Sequence, residues 1–539
     1  MDRPGRILVV DNLEEWCKAL VETLLYSGFH ADSSSTVTEA LERLNQSFYH
    51  ILVIDIRMNE TDQNNIDGID LLRELDKRGL SEATKVIMLS AYGTIEQMRT
   101  AFREYKVADF LSKYGFTKQI FLESVRQVFS RNVNINLALD IHWQLKSKSE
   151  QVVLSLEVDG TRIKRGTPLQ NQVAAELEDL LCRLFYQAKS IQIQPLTSGR
   201  SGTGVMRIQP FYSAKGIGYE VIVKFGDCSK IEEEYNNFKE YVQPFLGGGR
   251  NTTILDVRRT PQLGGIIYSL LGSNNDRLVD FGEFYRHGDL SQIKGALNRL
   301  FLDTCGAWYA NRGHLQPLDL TADYQRLFGY TAKQLEQVLS KQHKSVQVKQ
   351  KLYFKSLNSE RPFTNPLLAT AELSLIRSTY LCITHGDFNP HNLLVDSTGH
   401  VWMIDFQETG QGHILRDIAI LDSVIRFQLL TAEEATLKEC LQMEEALCSI
   451  EHFSQVQQLA TKFSTPNQAL SKAYATVVHL RTLARRLVDQ NPNDDIGEYY
   501  IALLYNAMNT LRFSSLSSGQ REHALLCASL LADRLGLGK

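Results

Sequence analysis

The stretch HGDFNPHNLLVDSTGHVWMIDF, His385 to Phe406, crowds histidines, acids and asparagines ahead of two short apolar runs. LLVD and HVWMID are β-patterned, and Ser397-Thr398-Gly399 between them is a turn signal, so the segment reads as a hairpin. Antiparallel pairing sets the start of the first strand beside the end of the second. Asn392 and Asp405 therefore come together, and an amide oxygen with a carboxylate makes a hard oxygen site suited to magnesium carrying a nucleotide phosphate. Asp387, just upstream, can face an incoming hydroxyl and orient it or take its proton. The plainer alternative is that Asp387, Asn389 and Asn392 only cap a turn, work those side chains do well.

That alternative leaves the upstream sequence unexplained. LTSGRSGTGVMRI carries a glycine-rich loop from Ser198 to Gly204, with Gly199, Gly202 and Gly204 as nucleotide-contact candidates. It lacks G-K-[ST] and is no P-loop. After a turn at SAKGIG, the strand YEVIVKF carries Lys224, placed to reach nucleotide phosphates. KIEEEYNNFKEYVQPF has helical spacing; Glu234 is the expected partner of Lys224, with Glu233 next. GGIIYSLL, Gly264 to Leu271, resembles a strand and hinge against which adenine stacks.

From about Ile191 to the C-terminus the chain resembles the aminoglycoside phosphotransferase and choline kinase family, protein-kinase-like in fold. The family's H-G-D-x-x-x-x-N is His385 to Asn392, its I-D-[FW] is Ile404-Asp405-Phe406, and its D-[IL]-A is Asp417-Ile418-Ala419. The resemblance implies ATP and Mg2+ as cofactors and Asp387 as catalytic base. It makes Asn392 and Asp405 the metal ligands, Lys224 with Glu234 the phosphate-anchoring pair, and Asp417 a structural brace for the loop. The family's lysine usually follows its glycine loop more closely than here. His391 reads as a solvated loop histidine. ALSKAYATVVHLRTLARRL and EYYIALLYNAMNTLRF fit a helical C-lobe, with Tyr499, Tyr500 and Tyr505 in its core.

The front of the chain has another rhythm. ILVVD, HILVID, KVIMLSA and ADFLSK are strand-like runs separated by the helix-period segments EEWCKALVETLLYSGF, IDGIDLLRELDKRG and IEQMRTAFREY, with QIFLESVRQVFS closing. Buried parallel strands alternating with helices imply an open doubly wound sheet, whose function collects at the carboxyl ends of its strands. Asp11, Asp55, Ser90 and Lys113 stand there. Asp55 can accept a phosphoryl group if a cation neutralises the incoming charge, with Asp11 helping to hold it; Ser90 and Lys113 can bond phosphoryl oxygens. This region resembles a two-component response-regulator receiver domain through VVDN, VIDIRM, DGIDLL, MLSA and FLSK. The resemblance implies a five-stranded parallel, flavodoxin-like sheet, Asp55 as phosphoacceptor, Asp11 and Asp55 as magnesium ligands, Ser90 as switch hydroxyl, Phe110 as switch aromatic and Lys113 as the family's lysine. Asn12 stands where the family has a second acid, Met58-Asn59 where it has Met-Pro, and Tyr114 where it has proline; ETDQNN is inserted before Asp67-Gly68.

A chain of 539 residues is too long for one core. The expected division is a receiver over 1–131, a structured connector over 132–190, a kinase-like N-lobe over 191–275 and a C-lobe over 276–539. In the connector, INLALDIHW and EQVVLSLEV read as a hairpin turning at KSKS, and NQVAAELEDLLCRLFYQA as a helix opening at Thr167-Pro168. The fold class is thus multidomain α/β and α+β. A net charge of −4 gives no reason to bind nucleic acid or an anionic membrane. Eight scattered cysteines without a C-x-x-C pair fit reduced thiols in a cytoplasm. No apolar stretch is long enough to span a bilayer.

These readings combine into a cytoplasmic phosphoprotein of a phosphorelay, whose receiver governs a phosphotransferase acting on a small-molecule or protein hydroxyl acceptor. Its partner would be a sensor histidine kinase or phosphotransfer protein, and ATP would bind between the lobes. The rival is a catalytically silent kinase-like scaffold in a bacterial signalling or defence complex; kinase-like domains of conflict-system ternary complexes would be relatives of that kind. A DNA-binding output is disfavoured, since neither a basic patch nor a helix-turn-helix is evident.

Overall fold

The computed structural model describes residues 3–537 except 60–61, 63–64, 92–93, 145–147, 197–201, 214–215, 247–251, 271–277, 330–333, 338–345, 349–350, 358–359 and 371–373. The chain packs as two units: Met1–Tyr235 with Thr253–Ser269, and Asn236–Thr252 with Leu270–Lys539.

The first unit begins with strands β1 (Arg6–Val10), β2 (His30–Ser34), β3 (Ile51–Ile54), β4 (Lys85–Ser90) and β5 (Asp109–Ser112), interleaved with helices α1 (Glu14–Tyr26), α2 (Val37–Gln46), α3 (Asp67–Lys77), α4 (Ile95–Arg103) and α5 (Lys118–Val128). All pairings are parallel, in the order β2-β1-β3-β4-β5 of a doubly wound sheet. Alternation along each strand divides the core. Ile7, Val9, Ile51, Val53, Ile87 and Leu89 pack with residues of α1 and α5. Leu8, Val10, Leu52, Ile54, Val86 and Met88 face the other way, onto α2 and α3. Strand β2, HADSS, has no apolar run to announce it, because an edge strand carrying an aspartate and two serines buries little.

The connector corrects one expectation. INLALDIHW supplies β6 (Asp140–Trp143), but EQVVLSLEV does not return as its hairpin partner. It forms the short helix α6 (Ser149–Val152) and a further 3-10 turn before β7 (Glu157–Val158), which pairs with β8 (Thr161–Arg162). β6 instead joins β9 (Ser190–Pro195) in parallel. Val153 and Leu156 are drawn into the core beside helix α7 (Pro168–Leu184), and burying them there outweighs strand alternation. α7 starts at the expected cap: Thr167 accepts a hydrogen bond from the Gln170 amide, and Pro168 fills the first turn. Its apolar face, including Val173, Leu177, Leu180 and Leu181, covers a second sheet.

That sheet runs β13 (Thr252–Arg259), β14 (Leu263–Leu270), β12 (Val221–Asp227), β10 (Gly204–Tyr212), β9, β6, with β11 (Gly216–Ile217) beside β10. Helix α8 (Cys228–Asn237) follows β12. The expected hinge after β14 lies outside the described residues.

The second unit is mostly helical, with small two- and three-stranded pieces. The hairpin pairs Leu393–Val395 with Val401–Met403, and Gly399 in its turn has φ +76°, a conformation that favours glycine. Gln468–Leu487, Gly497–Thr510 and Ser518–Arg534 are its long helices. Tyr499, Tyr500 and Tyr505 are core residues with polar handles; the Tyr499 hydroxyl donates to Asp422 at 2.8 Å. No described helix is long and apolar enough to cross a membrane.

Candidate functional site

At the carboxyl end of the first sheet, three charged side chains converge. Lys113 Nζ lies 2.6 Å from Asp55 Oδ2 and 2.7 Å from Asp11 Oδ2. The Trp16 ring sits 5.3 Å from the same ammonium. Asp11, Asp55 and Ser90 are buried at the ends of β1, β3 and β4. Burial raises the Asp11 carboxyl above its usual range, outweighing the pull of Lys113. For Lys113, burial opposes the charge, but the two carboxylates prevail and its pKa is raised. Phe110 in β5 packs half-buried against the core of the α2–α3 face. The donor set fits a divalent cation modestly: two carboxylates face one place, and Asn12 adds an amide where an acid would add charge. Of the inserted ETDQNN, Asp62 and Asn65 are described; the Asn65 Oδ1 accepts from the Met58 amide at 2.9 Å, tying the insertion back to the loop that follows β3.

In the second sheet, Lys224 is buried at the centre of β12, opposite Val205 of β10 and Ile266 of β14. Its ammonium pairs with Glu234 of α8, and Glu234's other oxygen accepts from the Tyr268 hydroxyl. Glu233 is not in that pair. Tyr268 went unmarked in the sequence because it reaches Glu234 across the sheet from a position 34 residues away. Gly199 lies outside the described residues. Gly202 has φ +74° and lies against Glu157. Gly204 is buried at the start of β10, where a Cβ would come within 2.2 Å of the Phe225 ring. Packing therefore gives Gly204 a steric reason to be glycine that involves no nucleotide.

In the second unit, the HGD loop is clamped from behind. Asp417 accepts hydrogen bonds from the His385 amide through Oδ2 and the Gly386 amide through Oδ1, each at 2.9 Å. The Tyr309 hydroxyl also donates to Asp417 Oδ2, at 3.0 Å. Gly386 has φ +83°, and a Cβ there would lie 2.4 Å from the Glu408 carbonyl oxygen, so only glycine fits. His385 is wholly buried between Phe388 and Phe406, its Nε2 3.2 Å from the Ile404 carbonyl oxygen. Asn392 Nδ2 donates to Asp387 Oδ2 at 2.9 Å and to the Asp387 carbonyl at 3.0 Å. The hairpin register sets Ile404 opposite Asn392, with an amide-to-carbonyl bond of 3.0 Å. The second strand thus ends at Met403, and Asp405 lies two residues beyond it, in the left-handed region at φ +71°. A non-glycine residue costs about 1 kcal/mol there, a kind of strain that collects at functional sites. His391 is exposed, its Nδ1 3.1 Å from Asp280 Oδ2.

Comparison with known proteins matches two separate parts of the chain. Residues 7–125 match the response regulator receiver domain model, so the front of the chain is a receiver domain, which implies phosphorelay signalling. Among solved structures, the chain is similar to the signal receiver domain of an HD domain-containing protein from Pseudomonas fluorescens Pf-5. The identity is 22%, covering 24% of this chain and 98% of that one, with a TM-score of 0.22. A CheY-like receiver domain protein from Methanospirillum hungatei JF-1 is 20% identical over 24% of this chain and 97% of its own, TM-score 0.22. NtrX from Brucella abortus in complex with ADP is 24% identical over 24% of this chain and 28% of its own, TM-score 0.22. No curated protein matches. Residues 189–359 and 355–512 match the model of ternary complex associated domain 9. Those matches take in more than half of the 539 residues, and the chain belongs to the ternary complex associated domain 9 family.

Proposed function

We propose that this chain is a cytoplasmic response regulator whose receiver governs an ATP- and magnesium-dependent phosphotransferase acting on a hydroxyl acceptor. The observation that carries the reading is the clamped HGD loop. Asp417 holds the His385 and Gly386 amides, while the Asn392 amide touches the Asp387 carboxylate. Two buried backbone donors satisfied by one carboxylate fix a loop that turn-capping alone would leave loose.

In this reading Asp387 orients the acceptor hydroxyl and takes its proton. Lys224, held in place by Glu234, binds nucleotide phosphate oxygens. Asn392 and Asp405 would hold magnesium, which when bound supplies charge neutralisation at the phosphoryl oxygens. In the receiver, Asp55 accepts the phosphoryl group from a histidine kinase or phosphotransfer protein, with Asp11 beside it. Ser90 and Phe110 respond, and the output equilibrium shifts.

The family's description as ternary complex associated favours a second reading, in which the kinase-like half is a silent scaffold within an assembly. ADP release from ATP under magnesium separates the two. It should be measured on wild type and Asp387→Ala across a library of hydroxyl acceptors, with and without acetyl phosphate. The phosphotransferase reading expects at least a hundredfold loss in D387A. Equal rates in the two proteins make the scaffold the answer.

A further inference from the structure

The C-terminal helices hold a second constellation that the phosphotransfer reading does not use. Helix Leu437–Leu447 sets Cys440 and Glu444 one turn apart on its buried face. Helix Ser518–Arg534 brings His523 against Glu444. His523 Nε2 lies 2.9 Å from Glu444 Oε1, and His523 and Cys440 line the same cavity. The other Glu444 oxygen accepts from Arg426 Nη1 at 2.7 Å, and Phe427 packs edge-on against the imidazole. The order is therefore guanidinium, carboxylate, imidazole, each orienting the next, with the Cys440 thiol on the same cavity wall as the imidazole.

The imidazole and the thiol open onto space. Cys440 and His523 line a cavity of about 170 Å3 whose wall also includes Thr431, Gln520 and Glu522. Burial works against a charged His523, but Cys440 and Glu444 outweigh it and hold the ring up at about 9. The other seven cysteines lie in surroundings that disarm a thiol. Burial pushes Cys17 up to about 11 and Cys182, Cys228 and Cys448 to about 12, and Cys305, Cys382 and Cys527 higher still.

We propose that Cys440 is a peroxide-reactive thiol, with His523 as its proton carrier and Glu444 as the group that positions His523. The cavity admits a small hydroperoxide. Cys440 Sγ attacks its terminal oxygen, and an S–O bond forms as the O–O bond breaks. The protonated His523 ring gives a proton to the departing oxygen and takes up in its place the one the thiol gives up. The products are a sulfenic acid at Cys440 and an alcohol, or water when the oxidant is hydrogen peroxide. Sulfur is oxidised by two electrons and the peroxide is reduced by two. This assignment stands independently of the phosphotransferase reading.

The test exposes the full-length protein to limiting hydrogen peroxide with a dimedone-type sulfenic acid trap and reads each cysteine by peptide mass spectrometry. Cys228 is the control, since it is the one cysteine that is only half-buried. In wild type, Cys440 is expected to be trapped at least tenfold faster than Cys228. His523→Gln is expected to slow Cys440 at least tenfold and leave Cys228 unchanged. Trapping at Cys228 first, or at all eight cysteines alike, overturns the proposal. So does an unchanged Cys440 rate in folded H523Q. If H523Q unfolds, seen as labelling of Cys305 and Cys382, the wild-type ratio decides alone.

Discussion

His50 Nε2 lies 2.6 Å from Asp179 Oδ1, and this contact ties the receiver's third strand to helix α7 of the connector. Both residues are buried. Arg183 Nε donates to the other Asp179 oxygen at 2.7 Å, and Arg183 Nη1 donates to the Ala83 carbonyl beside β4 at 2.9 Å. His50 precedes β3 at the end opposite Asp55, so one strand joins Asp55 to the contact with α7 through four residues of rigid backbone. Burial opposes the Asp179 charge, but Arg183 and His50 outweigh it and hold the carboxyl well below its usual range.

Removing one member of this seam leaves the others buried without compensation. Asp179→Asn is expected to destabilise the first unit by about 3 kcal/mol, as breaking a buried pair does. Urea unfolding followed by receiver-specific hydrogen exchange checks it; a midpoint matching wild type would show that the seam carries no strain when broken.

The receiver's acid pair offers a gain-of-binding test. Asn12→Asp restores a third carboxylate beside Asp11 and Asp55, and site affinity for a hard cation rises with ligand charge. Magnesium binding by calorimetry is expected to tighten about tenfold, or about 1.4 kcal/mol. Asp55→Asn should abolish acyl phosphate formation from acetyl phosphate, read on a phosphate-affinity gel.

Glu176, on the same helix as Asp179, is buried at the turn between β13 and β14. Its Oε2 accepts from the Thr260 hydroxyl at 2.8 Å and the Gln262 amide at 3.0 Å. Burial raises it to about 7. A carboxyl raised in the folded state contributes stability below its unfolded pKa and loses it as pH climbs through the folded one. Wild type is therefore expected to lose on the order of 2 kcal/mol between pH 5 and pH 8, a decline that Glu176→Gln removes. Urea midpoints of both proteins at the two pH values decide.

His523 and Glu444 bound the stability of the second unit from opposite sides. With His523 raised to about 9, its contribution is complete below about 6.5 and is lost as pH rises through 9. Glu444 is lowered to about 2: burial opposes its charge, but Arg426 and His523 outweigh it, and its contribution is lost only as pH falls from about 4.5 toward 2. The second unit's melting temperature should be flat between about pH 4.5 and 6.5 and fall as pH rises from there through 9. His523→Gln is expected to flatten the alkaline limb and leave the acid limb; an unchanged alkaline limb refutes it.

Much of the site could be read from the sequence wherever the interactions that build it are local. The turn at Ser397-Thr398-Gly399 and the apolar runs on either side are enough to draw Asn392 toward Ile404, because a two-strand register follows from its turn. The lysine in YEVIVKF pairs with Glu234 because a strand followed by a helix brings the helix's first turns back over the strand. Likewise, runs such as ILVVD and KVIMLSA are apolar on both faces, which only a strand covered by helices on both sides requires.

What the order of residues could not decide is which distant polar groups would share a buried place. EQVVLSLEV has the letters of a strand, yet packing against α7 folds its start into a helix and sends β6 to pair with β9. His50 meets Asp179 across 129 positions, Tyr309 meets Asp417 across 108, and His523 meets Glu444 across 79. Propensity and periodicity act over a turn or a strand. A buried charge, by contrast, must find its partner wherever the closing of the core delivers one, and only the assembled tertiary structure settles that.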